Sequence, residues 1–169
     1  MTQATRQLPN QVSGGIPRPP SEAPAFVRLS NHLVEALLRR GVPMGPNTFM
    51  TVRGRKSGAP RTAAVAVMET AGRRYIIGAY GDVQWVRNLR AAGEATVRLH
   101  GRDAHVTAHE LDRDEAIAFF GRTLPAYIHA FPWFGRAFAR VFFGLVGPEF
   151  LNDPEKAAQT RPVFALQID

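Results

Sequence analysis

The sequence predicts an α+β domain, a small barrel of about six largely antiparallel strands with helices flanking it. Three observations point there. Beta-forming runs are grouped along the chain with hairpin-length links, so antiparallel pairing is available without the long crossovers that parallel partners need. The regular strand–helix alternation of a doubly wound sheet is absent. Finally, 169 residues without one cysteine suffice for a well-cored domain that relies on no disulfide or thiolate-bound metal.

Residues 1–24 read as a disordered leader, since Met1 to Pro20 mixes Pro, Gly, Gln and Ser with no apolar run of signal-peptide type. Residues 25–169 are expected to form one domain. It opens with an amphipathic helix from Phe26 to Arg40, where Phe26, Leu29, Leu33 and Leu37 recur at helical spacing and Gly41 stands at the cap. After Gly and Pro punctuation at 41–46, beta-formers begin at Asn47. A polar turn at 53–60 leads into the strand Thr62 to Met68, whose run Ala63 to Val67 is apolar on both faces, as in a central strand covered on both sides. Ala71-Gly72 turns the chain into a strand from Arg74 to Ala79. Asp82 is placed to cap a short helix from Val83 to Ala92 that Gly93 ends.

The hairpin Glu94 to Leu111 is expected to turn at Gly101-Arg102, with His100 opposite Asp103. That register pairs Leu99 with Ala104, Val97 with Val106 and Ala95 with Ala108 on an apolar face. Arg98/His105, Thr96/Thr107 and Glu94/His109 pair on the polar one. Asp112 with Glu115 starts a helix by a capping-box pattern, expected to end near Gly121. In the aromatic stretch that follows, Phe134, Phe138, Val141, Phe142 and Leu145 alternate with Arg136 and Arg140. This describes a cationic amphipathic helix whose apolar face is expected in the core or over a pocket, with an anionic membrane surface as the alternative. It falls short of the ~20 residues of a membrane span. Asn152 to Glu155 forms a further cap, and Pro162 to Ile168 the last strand.

Twenty-one Lys and Arg against 14 Asp and Glu give a net charge of +7, a field that attracts anions. The densest cationic feature is Arg53 to Arg61, with Arg53, Arg55, Lys56 and Arg61 around Gly54 and Gly58. Glycines let main-chain N–H groups face a ligand, Ser57 adds a hydroxyl, and the cations supply charge-assisted hydrogen bonds to phosphate. GxxxxGK[ST] is absent, and strands flank the segment on both sides, which argues against nucleoside-triphosphate hydrolysis. His100, His105 and His109 are explained by the hairpin, and with no converging carboxylates no metal site is expected. Neither an RNA-binding aromatic signature nor a long basic stripe is present, so nucleic acid is not an expected partner.

Gly54-Arg55-Lys56-Ser57-Gly58-Ala59-Pro60-Arg61, preceded by Thr51, resembles the signature of deazaflavin-dependent nitroreductases and quinone reductases. Gly78 to Leu89, with Trp85 and Asn88-Leu89, resembles a second segment of that family at similar spacing. Ala79-Tyr80-Gly81 departs from the Ser-Lys or the Gly- and Pro-rich loop of better-known members. The resemblance implies a split β-barrel that binds reduced coenzyme F420 and passes hydride to nitro compounds, quinones or related acceptors. Carried onto matching positions, it implies that Lys56, Ser57, Gly58 and Arg61, with Arg55 as a further candidate, hold the cofactor's phosphate and acidic tail. Ala79, Tyr80, Trp85 and Asn88 then line the deazaflavin. Tyr80 and Tyr127 are the candidate catalytic residues, for acceptor orientation or proton donation, because each joins an apolar ring to a polar tip.

Two alternatives stand beside this one: an FMN-dependent split-barrel enzyme, whose ribityl phosphate would use the same turn, and a non-catalytic carrier of a cofactor or apolar ligand. The family includes monomers and dimers, so no oligomeric state follows. The absence of cysteine suits a reducing compartment. A cytoplasmic location is expected, with transient contact at a membrane surface as an addition.

Overall fold

The computed structural model describes residues 47–169. The expected leader and the helix Phe26 to Arg40 lie outside them. Six strands close into a barrel: β1 (Asn47–Arg53), β2 (Pro60–Thr70), β3 (Arg73–Ile77), β4 (Glu94–Leu99), β5 (Arg102–Glu110) and β6 (Val163–Ile168). Their order is β1-β2-β3-β6-β5-β4, and every neighbouring pair is antiparallel. The α+β barrel with flanking helices is therefore the fold observed. Closure leaves no edge strand to protect. Between the strands lie α1 (Gln84–Ala92), α2 (Arg113–Ala118), α3 (Leu124–His129), α4 (Trp133–Val146), α5 (Glu149–Asn152) and α6 (Pro154–Thr160).

Two apolar layers hold this together. Met50, Val52, Val65, Val67, Ile76, Val97, Val106, Phe164 and Leu166 from the strands pack with Val86 and Leu89 of α1. A second layer joins Met68 and Tyr75 to helical Phe119, Phe120, Leu124, Ile128 and Phe150. β2 thus has inward Val65 and Val67 and an outward row in which Ala66 is exposed and Met68 buried. The expectation of a central strand covered on both faces is corrected: a closed barrel has no centre, and β2 is covered outside only where the helices reach it.

The hairpin β4–β5 turns one residue earlier than expected. His100 (φ 49°) and Gly101 (φ 80°) occupy its two positions, so Leu99 faces Arg102, Val97 faces Ala104 and Thr96 faces His105. A type I′ turn requires positive φ at both central residues, and it puts Gly second; the register slides by two and every side chain keeps its face. Ala71 (φ 49°) and Gly72 (φ 73°) make the same turn between β2 and β3. Gly93 ends α1 with φ 69°, its N–H bonded to the Leu89 carbonyl, as expected.

The capping box holds: the Asp112 carboxylate accepts from the Glu115 N–H, and the Glu115 carboxylate accepts from the Asp112 N–H. Gly121 does not end the helix. The chain runs from α2 through a π-helical turn, Phe119–Thr123, into α3. Widening the helix there lets consecutive Phe119 and Phe120 both turn inward, against Tyr75 and Phe150 (ring centroids 5.0 and 5.7 Å). Asp153 caps α6 through the Lys156 N–H, with Pro154 first in the helix.

Candidate functional site

The cationic turn between β1 and β2 is closed by its own backbone. Gly54 N–H donates to the Ala59 carbonyl (2.9 Å) and Gly58 N–H to that of Gly54 (2.8 Å). A side chain at Gly54 would meet the Ala59 oxygen at 3.0 Å, and Gly58 sits at φ 69°, so both glycines answer a geometric need. Lys56, Ser57 and Arg61 are exposed on this turn, and neither cation has a carboxylate partner among the described residues.

Facing the turn is α1. Its inner stripe, Val86 and Leu89, is fully buried, which brings Gln84, Trp85 and Asn88 up to the turn. Between the two runs a cleft of about 650 Å³, lined by Gly54, Arg55, Lys56, Ser57, Arg61, Thr62, Ala63, Val83, Gln84, Trp85 and Asn88. This is the size of a cofactor-bearing pocket. Trp85 stands between cleft and core, its ring 6.3 Å from that of Phe164. α1 is itself tied down from behind. Asp82 accepts from Arg87 (2.9 Å) and Arg90 (2.8 Å), and Arg90 also donates to Glu110. Asp82 therefore anchors α1 by charge and does not cap it; Val83 occupies the cap position with no side-chain bond. Partial burial pushes the Asp82 carboxyl up, but the bonds from Arg90 and Arg87 outweigh it and hold the group below the usual carboxylate range. Arg87 and Arg90 are both engaged in these pairs.

Arg55, Lys56, Ser57, Arg61, Trp85 and Asn88 thus meet around one cleft. Gly58 shapes the turn without lining it. Ala79 and Tyr80 lie in the loop after β3, where the Ala79 carbonyl accepts from Arg161 Nη1 (2.6 Å). Arg161 also donates to Glu149 Oε1 and stacks over Phe150, 5.3 Å from the ring centre. Burial raises the Tyr80 phenol pKa against the opposing charge of Arg161. Tyr127 is on α3, edge-on to Phe131 (4.8 Å), and its pKa is raised by burial and further by Glu69. Neither tyrosine lines the cleft. Thr62, Ala63, Val83 and Gln84 also line the cleft and were missed by sequence reasoning; the signal for Gln84 was its place four residues before Asn88 on one helix.

α4 departs from expectation. Ala139 is buried on its inner side, but Trp133 (75%), Phe138 (73%) and Leu145 (72%) are open, with Phe134 and Val141 beside them. Its large apolar face does not enter the core or the cleft within the described structure. No helix among the described residues is long and apolar enough to cross a membrane. His105 pairs through Nδ1 with Asp169, and His109 Nε2 lies 3.7 Å from Glu115, in place of the expected Glu94/His109 pair. No group of three or more His, Asp or Glu gathers as a metal site among the described residues.

The model of the F420H(2)-dependent quinone reductase family matches residues 27–130, more than half the chain and all of the turn and α1. This chain belongs to that family. It is an oxidoreductase of the F420H2-dependent reductase class. No curated protein matches it. Among solved structures, an F420-H2 dependent reductase (FDR-A) is 20% identical, with TM-score 0.44 over 72% of this chain and 94% of its own. A protein described as a domain-swapped dimer is 18% identical, with TM-score 0.49 over 85% of this chain and 100% of its own. The conserved hypothetical protein Rv2991 of Mycobacterium tuberculosis is 14% identical, with TM-score 0.45 over 79% of each chain. The barrel rests on its own strand pairing, described above.

Proposed function

We propose that this chain transfers hydride from reduced coenzyme F420 to a nitro, quinone or related organic acceptor. One observation carries the reading: Lys56 and Arg61, which have no carboxylate partner among the described residues, stand with Ser57 across a cleft of about 650 Å³ from Trp85, so cations and an aromatic wall border one space. A ligand that joins a phosphate to a flat ring fits that chemistry. Lys56, Ser57 and Arg61, on the turn that Gly58 shapes, hold the phosphate and acidic tail; Trp85 and Asn88 border the ring region, with Ala79 and Tyr80 in the loop after β3.

When bound, the reduced deazaflavin supplies the hydride. The protein's part is to bind, orient and exclude water. Lys56 and Arg61 neutralise the anion, while Trp85 fixes the ring's plane and keeps that wall dry. Tyr80 and Tyr127 are proposed to orient the acceptor or give it a proton. A phenol is protonated at neutral pH already, the state a donor requires, and burial shifts both further in that direction.

The test is an anaerobic titration with reduced F420 and, in parallel, FMN, followed by menadione as a generic quinone. Saturable F420 binding with menadione-dependent oxidation is the expected result. Preference for FMN would overturn the cofactor assignment, and F420 binding without turnover across an acceptor panel would make the protein a carrier.

A second reading concerns location. The open aromatic face of α4, with Arg136 and Arg140 and no acid in the helix, favours transient contact of a cytoplasmic enzyme with an anionic bilayer. Co-sedimentation with phosphatidylglycerol vesicles, absent with phosphatidylcholine alone and lost in Phe138→Asp, is expected.

A further inference from the structure

Arg55 sits in the middle of the cationic turn, yet its guanidinium is engaged by protein. Nη1 donates to Gln84 Oε1 (3.0 Å) and to Asn88 Oδ1 (2.9 Å), and the Arg55 backbone N–H donates to the same Oδ1 (3.3 Å). A guanidinium and a backbone N–H are donors only, so the Asn88 atom facing them must be its oxygen. Asn88 is 7% exposed, on the side of α1 that also buries Leu89. It is therefore a fixed acceptor, and what it has left for a ligand is its amide NH2. Lys56 and Ser57 follow Arg55 directly in the chain; Trp85 lies between Gln84 and Asn88 on the helix. The three bonds thus join the element that carries Lys56 and Ser57 to the element that carries the aromatic wall.

We propose that Arg55 and Asn88 are positioning residues: the Arg55–Gln84–Asn88 latch sets the spacing between Lys56, Ser57 and Trp85, and Arg55 does not itself bind the cofactor's anion. Its consequence is selectivity for ligands whose anion and ring are a set distance apart. This rests on the proposed function, and it removes Arg55 from the anion-binding candidates among which the family resemblance places it. Geometry separates it from them, because Lys56 and Arg61 have no such partner among the described residues.

The test is a double-mutant cycle on the full chain with Arg55→Ala and Asn88→Ala, read in two ways. The first is amide hydrogen exchange of residues 54–59 in the free protein. The second is the Kd for reduced F420. Either single change should speed exchange in the turn and raise Kd about 10-fold, and the double change should do no more than one alone, because the second removal finds the latch already open. Lys56→Ala, by contrast, should weaken binding further on the Arg55→Ala background. If Arg55→Ala costs as much in Asn88→Ala as in the parent, Arg55 touches the ligand and the proposal fails. Unchanged exchange in both single variants also overturns it. If the parent binds no F420, the proposed function fails, and the exchange result alone decides the latch.

Discussion

At its start, β2 leaves the cationic turn; at its far end, Met68 lies beneath the helical layer, and the two ends are built on opposite terms. The turn is exposed and polar, held by short directional bonds, and its cations Lys56 and Arg61 line a cleft. The helical layer is held by undirected aromatic packing through Phe119, Phe120 and Phe150, with one buried ion pair, Glu149–Arg161. The turn keeps Lys56 and Arg61 without carboxylate partners among the described residues, while the helical layer pairs its buried Glu149 with Arg161. α4 then spends little of its apolar surface on that layer, so burial here is decided by which face meets a neighbour and not by composition.

The largest expected effect falls on the helical side. Glu149→Ala strands Arg161, whose side chain is 14% exposed, and should cost roughly 3–5 kcal/mol, read as a lower denaturant midpoint with m unchanged. The same pair predicts a pH dependence. Burial pushes the Glu149 carboxyl up, but Arg161 holds it below its ordinary value near 4.5. The group therefore contributes stability in full above that value and loses it as pH falls below 4.5 towards the depressed pKa. Acid melts of the parent should steepen there, and those of Glu149→Gln should not.

On the turn side, Lys56→Ala and Arg61→Ala should each weaken F420 binding by about 1.5–3 kcal/mol, roughly 10- to 150-fold, with the unfolding midpoint unmoved. Unaltered affinity in both would dissolve the contrast between the ends. Asp112→Ala, which opens the capping box, should cost about 1 kcal/mol of stability and leave binding alone. Phe138→Ser is the smallest effect, within about ±0.5 kcal/mol by thermal unfolding, because its ring is open to solvent. A loss well above that would show that α4 is covered.

The turn was legible because its parts are local. Gly54, Gly58 and the cations between them lie within a few residues, and closure depends on the positive φ of Gly58 and on the absence of a side chain at Gly54. Trp85 and Asn88 were legible as a spacing on one helix and through the family's second segment. The role of Arg55 was not, since a guanidinium in a basic run looks the same whether it is free or bonded to a helix 33 residues away. Nor was the reach of the helix beyond Gly121, where the need to bury Phe119 and Phe120 together outweighed a terminating glycine.

By itself, then, the sequence determined strand positions, the antiparallel barrel, the capping box, the turn and its charge, all of which follow from side-chain period and from residues close in the chain. Tertiary structure alone decided the closure of β1 on β4, the open face of α4, and which cations are engaged. These depend on contacts between segments far apart in sequence, and a pattern of one segment holds no information about the surface it meets.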